Sequence, residues 1–117
     1  MDDIVIYHNP RCTKSRQALA LLQEEGVSPH IIQYLDTPPS ATELDALLTK
    51  LGLEPKDIMR KGEDEYAALD LGHRTLSRQE AIDILVAHPR LIERPIVVRG
   101  DRAVVGRPTE RVRELLG

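Results

Sequence analysis

The sequence predicts an α/β fold with a mixed four-stranded sheet flanked by helices and a helical insertion. Three observations support this prediction. A strand–helix–strand pattern occupies residues 4–35, which is long enough for a right-handed parallel crossover. Two short β-branched runs later in the chain, separated by Gly100-Asp101, are typical of a β-hairpin. Between these two parts, residues 40–89 show helical patterns only.

The first part of the chain contains two strand patterns and one helix pattern. Ile4 to Tyr7 is a short β-branched run that ends at a His-Asn-Pro turn. A helix fits Thr13 to Glu25, with apolar residues on one face and Gly26 as its stop. Ile31 to Leu35 is the second predicted strand, and the two prolines that follow it end the pattern.

The middle of the chain opens its helices with capping boxes. Ser40-Ala41-Thr42-Glu43 and Ser77-Arg78-Gln79-Glu80 each place a serine three residues before a glutamate, ahead of an apolar helical pattern. Shorter helical pieces are expected at residues 55–59 and 63–69. These patterns predict a helical segment with no strand of its own.

The last part of the chain supplies the hairpin and a final helix. Its strands are predicted at residues 96–98 and 103–105, and Pro108 begins a last helix, where proline is tolerated in the first turn. No internal repeat and no flexible linker divides the 117 residues. We therefore predict a single domain, residues 1–117, with its helical insertion at about 40–89.

Composition excludes several classes of protein. Charged residues make up 30% and apolar residues 41% of the chain, which is typical of a soluble globular protein. No stretch approaches the roughly 20 apolar residues that cross a bilayer, and the acidic start is unlike a signal peptide. The net charge of −3 argues against nucleic acid as a partner. One cysteine cannot form an internal disulfide, so we expect a cytoplasmic protein.

Cys12 is the main candidate functional residue. It lies within residues 8–16, His-Asn-Pro-Arg-Cys-Thr-Lys-Ser-Arg, between a strand end and a helix start. The unpaired N–H groups and the positive end of a helix favour thiolate there, and they also bind anions. Arg11, Lys14 and Arg16 add positive charge. A lone cysteine can also be a small buried apolar residue, but these basic and polar neighbours favour a reactive thiol.

The residues around Cys12 limit its chemistry. His8 either tunes the thiolate, or touches a bound anion, or merely ends the strand, and the sequence leaves these alternatives open. No histidine or cysteine spacing is typical of a metal site, so we predict no metal. Ala18 stands where a Cys-x5-Arg phosphate loop needs arginine, and Ser15 stands where a CxxC motif needs cysteine. An oxidised Cys12 therefore requires a thiol from another molecule.

Five segments resemble the glutaredoxin-coupled arsenate reductase family across nearly the whole chain. In order they are Ile6-Tyr7-His8-Asn9-Pro10-Arg11-Cys12, Tyr34-Leu35-Asp36-Thr37-Pro38-Pro39, Met59-Arg60-Lys61, His88-Pro89 followed by Glu93-Arg94-Pro95-Ile96-Val97-Val98, and Gly106-Arg107-Pro108. Each segment alone is a weak signal, but five in the right order and spacing are specific. The end at Gly117, soon after the last predicted helix, and Thr13-Lys14 after the cysteine resemble the shorter, chromosomal members.

The resemblance implies a thioredoxin-like fold and the reduction of arsenate to arsenite, with a similar oxyanion as the alternative substrate. It implies that Cys12 attacks arsenate to form an As–S adduct. Glutathione, as a co-substrate, and glutaredoxin, as a partner, would then complete the two-electron reduction without a bound cofactor. The family's oxyanion-binding arginines correspond to Arg60, Arg94 and Arg107. Guanidinium suits this role because it stays charged and offers a planar fork of donors.

Several further residues carry over from the same motifs. Arg94 and Arg107 each precede a proline, which restricts the preceding residue to extended geometry. A proline at the start of the third strand is often cis in thioredoxin-like folds, so we expect a cis Arg94–Pro95 bond. His8 and Ser15 carry over as residues near the thiolate.

Two other functions stay open beside arsenate reduction. In one, Cys12 exchanges with glutathione on other substrates, and arsenate turnover is incidental. In the other, the chain is a regulatory binding module, since a sister group of transcription regulators shares the fold, binds RNA polymerase and carries a CxxC redox switch. Ser15 removes that switch, and the three arginines have no use in such a role. Arsenate reduction is therefore the leading hypothesis.

Overall fold

The computed structural model describes residues 3–116, which divide into two compact units. The first unit combines the chain up to residue 37 with the chain from residue 94 onward. The second unit comprises residues 38–93 and covers the segment for which the helical insertion is predicted.

The first unit is built on a four-stranded mixed sheet, as the sequence predicts. Its strands are β1 (Ile4–His8), β2 (His30–Gln33), β3 (Ile96–Arg99) and β4 (Arg102–Val105), in the order β2-β1-β3-β4. The β1–β2 pair is parallel, whereas β1–β3 and β3–β4 are antiparallel. Gly100 turns the hairpin with a φ of 60°, a conformation that L side chains rarely adopt.

Two helices cover one face of this sheet. Helix α1 (Thr13–Glu24) connects β1 to β2, and a 3-10 helix (Thr109–Leu115) follows β4. Because the chain has no Phe or Trp, the core between sheet and helices is aliphatic, and burying each large side chain contributes about 1.5–3 kcal/mol. The buried residues of this core are Ile4, Ile6, Ala18, Leu21, Leu22, Val97, Val104, Val112 and Leu115.

Strand pairing brings three separate segments to one edge of the sheet. Tyr7, near the end of β1, pairs with Ile96 at the start of β3. Ile96 pairs in turn with Val105 at the end of β4. The segments that follow β1, precede β3 and follow β4 therefore leave the sheet side by side.

The second unit is helical. Both capping boxes are confirmed, since Ser40 accepts from the Glu43 N–H and Ser77 accepts from the Glu80 N–H, with the glutamates bonding back. Within residues 3–116, no helix has the length and apolar character of a membrane span. The unit's elements are α2 (Ala41–Leu51), α3 (Asp64–Ala68) and α4 (Arg78–Ala87), with 3-10 helices at Pro55–Ile58, Leu71–His73 and Pro89–Leu91.

The second strand ends earlier than the sequence predicts. The Gln33 carbonyl accepts the N–H groups of both Asp36 and Thr37, so the chain turns at the point where the pattern continues to Leu35. Leu35 is consequently 38% exposed. The apolar pattern of residues 31–35 therefore combines a short strand with the start of a turn.

We predict that Gly106→Ala destabilises the protein. A β-carbon at Gly106 would lie 3.0 Å from Pro95 Cγ and 3.2 Å from Val112 Cγ2, both in the packed first unit. Such overpacking costs about 1–3 kcal/mol of the free energy of unfolding, measurable by urea denaturation. Gly62→Ala is the matched control, because a β-carbon there has no atom within 4 Å. Equal stability of the two variants would contradict this packing argument.

Candidate functional site

Cys12 occupies the N-cap position of α1, at the edge where β1, β3 and β4 meet. Its N–H donates to the Asn9 carbonyl at 3.0 Å, and its carbonyl accepts from the Arg16 N–H at 3.0 Å as the first helical bond. The Asn9 side chain accepts from the Arg11 N–H at 3.0 Å, which closes the turn further. The turn thus presents the thiol to the unpaired N–H groups of the first helical turn.

A buried contact between His8 and Ser15 joins the end of β1 to the start of α1. Ser15 Oγ lies 2.6 Å from His8 Nδ1 and accepts from the Asn9 N–H at 3.0 Å. Burial lowers the pKa of His8, and the charge of Arg16 lowers it further, so the imidazole is neutral at neutral pH. His8 is the last residue of β1 and contacts Ser15, and its roles towards the thiolate or a bound anion stay predictions.

Arg16 also holds the turn. Its Nη1 donates to the Pro10 carbonyl at 2.8 Å, and its Nη2 donates to Thr13 Oγ1 at 3.2 Å. The sequence counts Arg16 only as added positive charge near Cys12. In the structure its guanidinium connects the residues before and after Cys12 through these two hydrogen bonds, whereas the Arg11 side chain is exposed.

Two arginines reach the sulfur from the other side of the sheet edge. Arg107 Nη2 lies 3.6 Å from Cys12 Sγ, and Arg107 Nε donates to the Arg94 carbonyl at 2.7 Å. The Arg94 side chain also hydrogen-bonds to Cys12.

The expected cis bond at Arg94–Pro95 is confirmed, and Arg107–Pro108 is cis as well, which the sequence does not indicate.

The surroundings of Cys12 favour its thiolate. Partial burial raises the pKa of Cys12, and this is the largest single influence. The N–H of Ser15, the guanidinium of Arg94 and the N–H of Lys14 together lower the pKa by more than burial raises it. The net pKa of Cys12 lies below that of an ordinary thiol, and its half-buried sulfur lies beside two guanidinium groups that favour the thiolate. This arrangement can attack an electrophile that the arginines hold.

Arg60 lies in the second unit. Its backbone N–H donates to the Leu91 carbonyl at 2.7 Å. Its guanidinium lies 3.6 Å from a Glu63 carboxylate oxygen and 3.9 Å from a Glu93 carboxylate oxygen. The side chain is three-quarters buried. Its convergence with Arg94 and Arg107 on one anion stays a prediction.

Asn9 is a residue that the sequence reasoning missed. Its side chain and carbonyl both bond within the cysteine turn, and the Asn-Pro pair ahead of the helix is the local signal that could have indicated it. Over residues 3–116, no three His, Cys, Asp or Glu side chains are grouped so that they could hold a metal.

The chain is similar to several known proteins over nearly its whole length. The ArsC family pattern matches residues 7–115. A protein of Escherichia coli K12 called YfgD, described as uncharacterized, is 47% identical over 115 residues, 97% of each chain. An arsenate reductase of Neisseria meningitidis is 44% identical over 117 residues, covering 99% of this chain and 100% of the relative.

A solved arsenate reductase from Vibrio cholerae superposes with a TM-score of 0.93 at 48% identity, covering 97% of this chain and 98% of that chain. The predicted fold class is confirmed by this likeness, and the sheet and its helices are thioredoxin-like. With a family match over almost its full length, the chain belongs to the ArsC family.

Proposed function

We propose that the protein reduces arsenate to arsenite in the cytoplasm, with Cys12 as the nucleophile. The observation that carries the proposal is the contact between Cys12 Sγ and Arg107 Nη2 at 3.6 Å, with Arg94 bonded to the same sulfur. The relatives from Neisseria meningitidis and Vibrio cholerae that are named arsenate reductase support the choice of oxyanion.

The first step is attack of the Cys12 thiolate on arsenic. The sulfur forms an S–As bond, and one arsenate oxygen takes up two protons and leaves as water. Arg94 and Arg107 neutralise the oxyanion while the anionic thiolate approaches, and Arg60 is a third proposed ligand. Charge stabilisation of this kind is usually the largest single contribution that a site makes to lowering such a barrier.

The second step needs an electron pair from another thiol. Glutathione thiolate attacks Cys12 Sγ, the S–As electron pair stays on arsenic, and arsenite leaves as the reduced product. A disulfide between Cys12 and glutathione remains. The chain has one cysteine and cannot resolve this disulfide itself, so the thiol of glutaredoxin removes the glutathione and restores Cys12.

The proposal predicts arsenate-dependent NADPH oxidation in an assay with glutathione, glutaredoxin and glutathione reductase. Cys12→Ser should abolish turnover, because a hydroxyl is neither ionised nor able to carry the disulfide. Arg94→Ala and Arg107→Ala should each cost about 2–4 kcal/mol of transition-state stabilisation, read from kcat/KM. The same loss in Arg60→Ala would support a third ligand.

Arg111→Gln is the matched control for these variants. Arg111 is an exposed arginine of the same unit whose nearest carboxylate, Glu114, lies 3.4 Å away on the last helix. Its removal should leave turnover unchanged. Full activity of Cys12→Ser would contradict the proposal. Glutathionylation of wild-type Cys12 without any arsenate turnover would favour thiol exchange on other substrates, and capture of RNA polymerase would favour the regulatory module.

A second prediction concerns the pH dependence of the thiol. The rate of Cys12 alkylation by iodoacetamide follows the thiolate fraction, which is present above the pKa and lost as the pH falls through it. The pKa of Cys12 is lowered, so the midpoint should lie below that of a free cysteine thiol measured under the same conditions. Arg94→Gln should move the midpoint upward, because it removes a charged donor to the sulfur.

The control variant again is Arg111→Gln, whose midpoint should equal that of the wild type. The single cysteine makes the readout unambiguous, because Cys12 is the sole thiol in the chain. A wild-type midpoint at or above that of a free thiol would refute the proposed activation of Cys12.

A further inference from the structure

A cleft of about 290 Å³ lies beside the cysteine turn, on its β2 side. The buried His8 and Asn9 belong to its lining, and the other lining residues are exposed. Its volume is just below the roughly 300–1,000 Å³ typical of whole-ligand sites, which suits one amino-acid-sized end of a ligand. The lining residues are His8, Asn9, Pro10, Arg11, Gln33, Leu35 and Asp36.

The cleft is lined by one cation, Arg11, and one anion, Asp36, whose charged groups make no contact among residues 3–116 that stabilises the fold. Within the described part of the chain, neither the Arg11 guanidinium nor the Asp36 carboxylate takes part in a hydrogen bond or ion pair. The backbone N–H groups of both residues are bonded, to the Asn9 side chain and the Gln33 carbonyl, so the two positions are held while their charges stay available. Gln33, which carries an amide side chain, also lines the cleft.

We propose that this cleft binds the thiol co-substrate, a zwitterionic peptide thiol of the glutathione class. A carboxylate of the peptide pairs with Arg11, its ammonium group pairs with Asp36, and its amide bonds with Gln33. This inference rests on the proposed function, because that function supplies the thiol which attacks Cys12. It adds a binding site to which no residue of the oxyanion site contributes.

The position of the cleft suits displacement at sulfur. Strand β1 lies between β2 and β3 in the sheet, so the cleft flanks the cysteine turn from the β2 side, whereas Arg94 and Arg107 approach from the β3 and β4 side. Displacement at a sulfur atom is in line, with the attacking thiolate and the leaving group on opposite sides. In the proposed complex the peptide thiol binds beside Arg11, the chain neighbour of Cys12, and reaches the sulfur from the side away from the arginines.

The test is thiol exchange on Cys12 without arsenate. Ellman's reagent converts the single cysteine to a mixed disulfide with thionitrobenzoate. An added thiolate attacks Cys12 Sγ, forms a new disulfide with it and releases thionitrobenzoate, whose colour gives the rate. Glutathione, thioglycolate and 2-mercaptoethanol are compared, and the rate with uncharged 2-mercaptoethanol corrects each variant for general reactivity.

Arg11→Gln should lower the corrected glutathione rate about two- to five-fold, the scale of one exposed charge pair. Asp36→Asn should lower it by a similar factor. This second result is decisive, because glutathione carries a net negative charge and simple removal of a nearby carboxylate would speed its approach. Thioglycolate has no ammonium group, so Asp36→Asn should leave its rate unchanged or raise it.

Lys50→Gln is the control, because Lys50 is an exposed cation of α2 outside the cleft, and its corrected rates should equal those of the wild type. A glutathione rate that rises or stays unchanged in Asp36→Asn would overturn the proposal. So would an unchanged rate in Arg11→Gln. Exchange needs no arsenate, so failure of the reductase assay with intact thiol selectivity would refute the proposed function alone.

Discussion

The contact between the Cys12 sulfur and the Arg107 guanidinium depends on the register of the sheet. The two residues are 95 positions apart in the chain, and they meet because Tyr7 pairs with Ile96 and Ile96 pairs with Val105. A slip of one residue between β1 and β3 would turn buried side chains to the opposite face. The aliphatic core that holds this register is therefore also what holds the candidate site together.

The pKa of Cys12 is set by two opposing effects, burial and hydrogen bonding. Burial alone would keep the sulfur protonated and unreactive. The N–H groups of the first turn of α1 and the Arg94 side chain reverse this effect, because they donate to the charged form. These donors reach the sulfur only if the chain enters the helix at the right angle. Hydrogen bonds of the Asn9 side chain, the Arg16 guanidinium and the buried Ser15 hydroxyl maintain that angle.

Local signals in the sequence predicted much of the fold. The crossover helix, the hairpin glycine and both capping boxes involve residues close in sequence, and all are found where expected. The early end of β2 and the bonds of Arg16 come from turn contacts between residues three to six positions apart, which apolar and charge patterns do not show. The cis Arg107–Pro108 bond has no signal in the sequence. Cys12 could be singled out by its neighbours, whereas the arginines needed a resemblance to a known family.

Because the chain has a single cysteine, a disulfide formed at Cys12 can be reduced only by a thiol from another molecule. Every bond that forms at this sulfur must be broken by a molecule that arrives from outside, while the group being displaced is still held. Strand β1 lies between β2 and β3, so the proposed mechanism places the oxyanion on the β3 side and the attacking thiol on the β2 side. In CxxC proteins the second cysteine occupies the position of Ser15, whose hydroxyl here bonds the end of β1. Serine at this position leaves Cys12 without a second cysteine in the chain, which is why the proposed mechanism uses a thiol from another molecule.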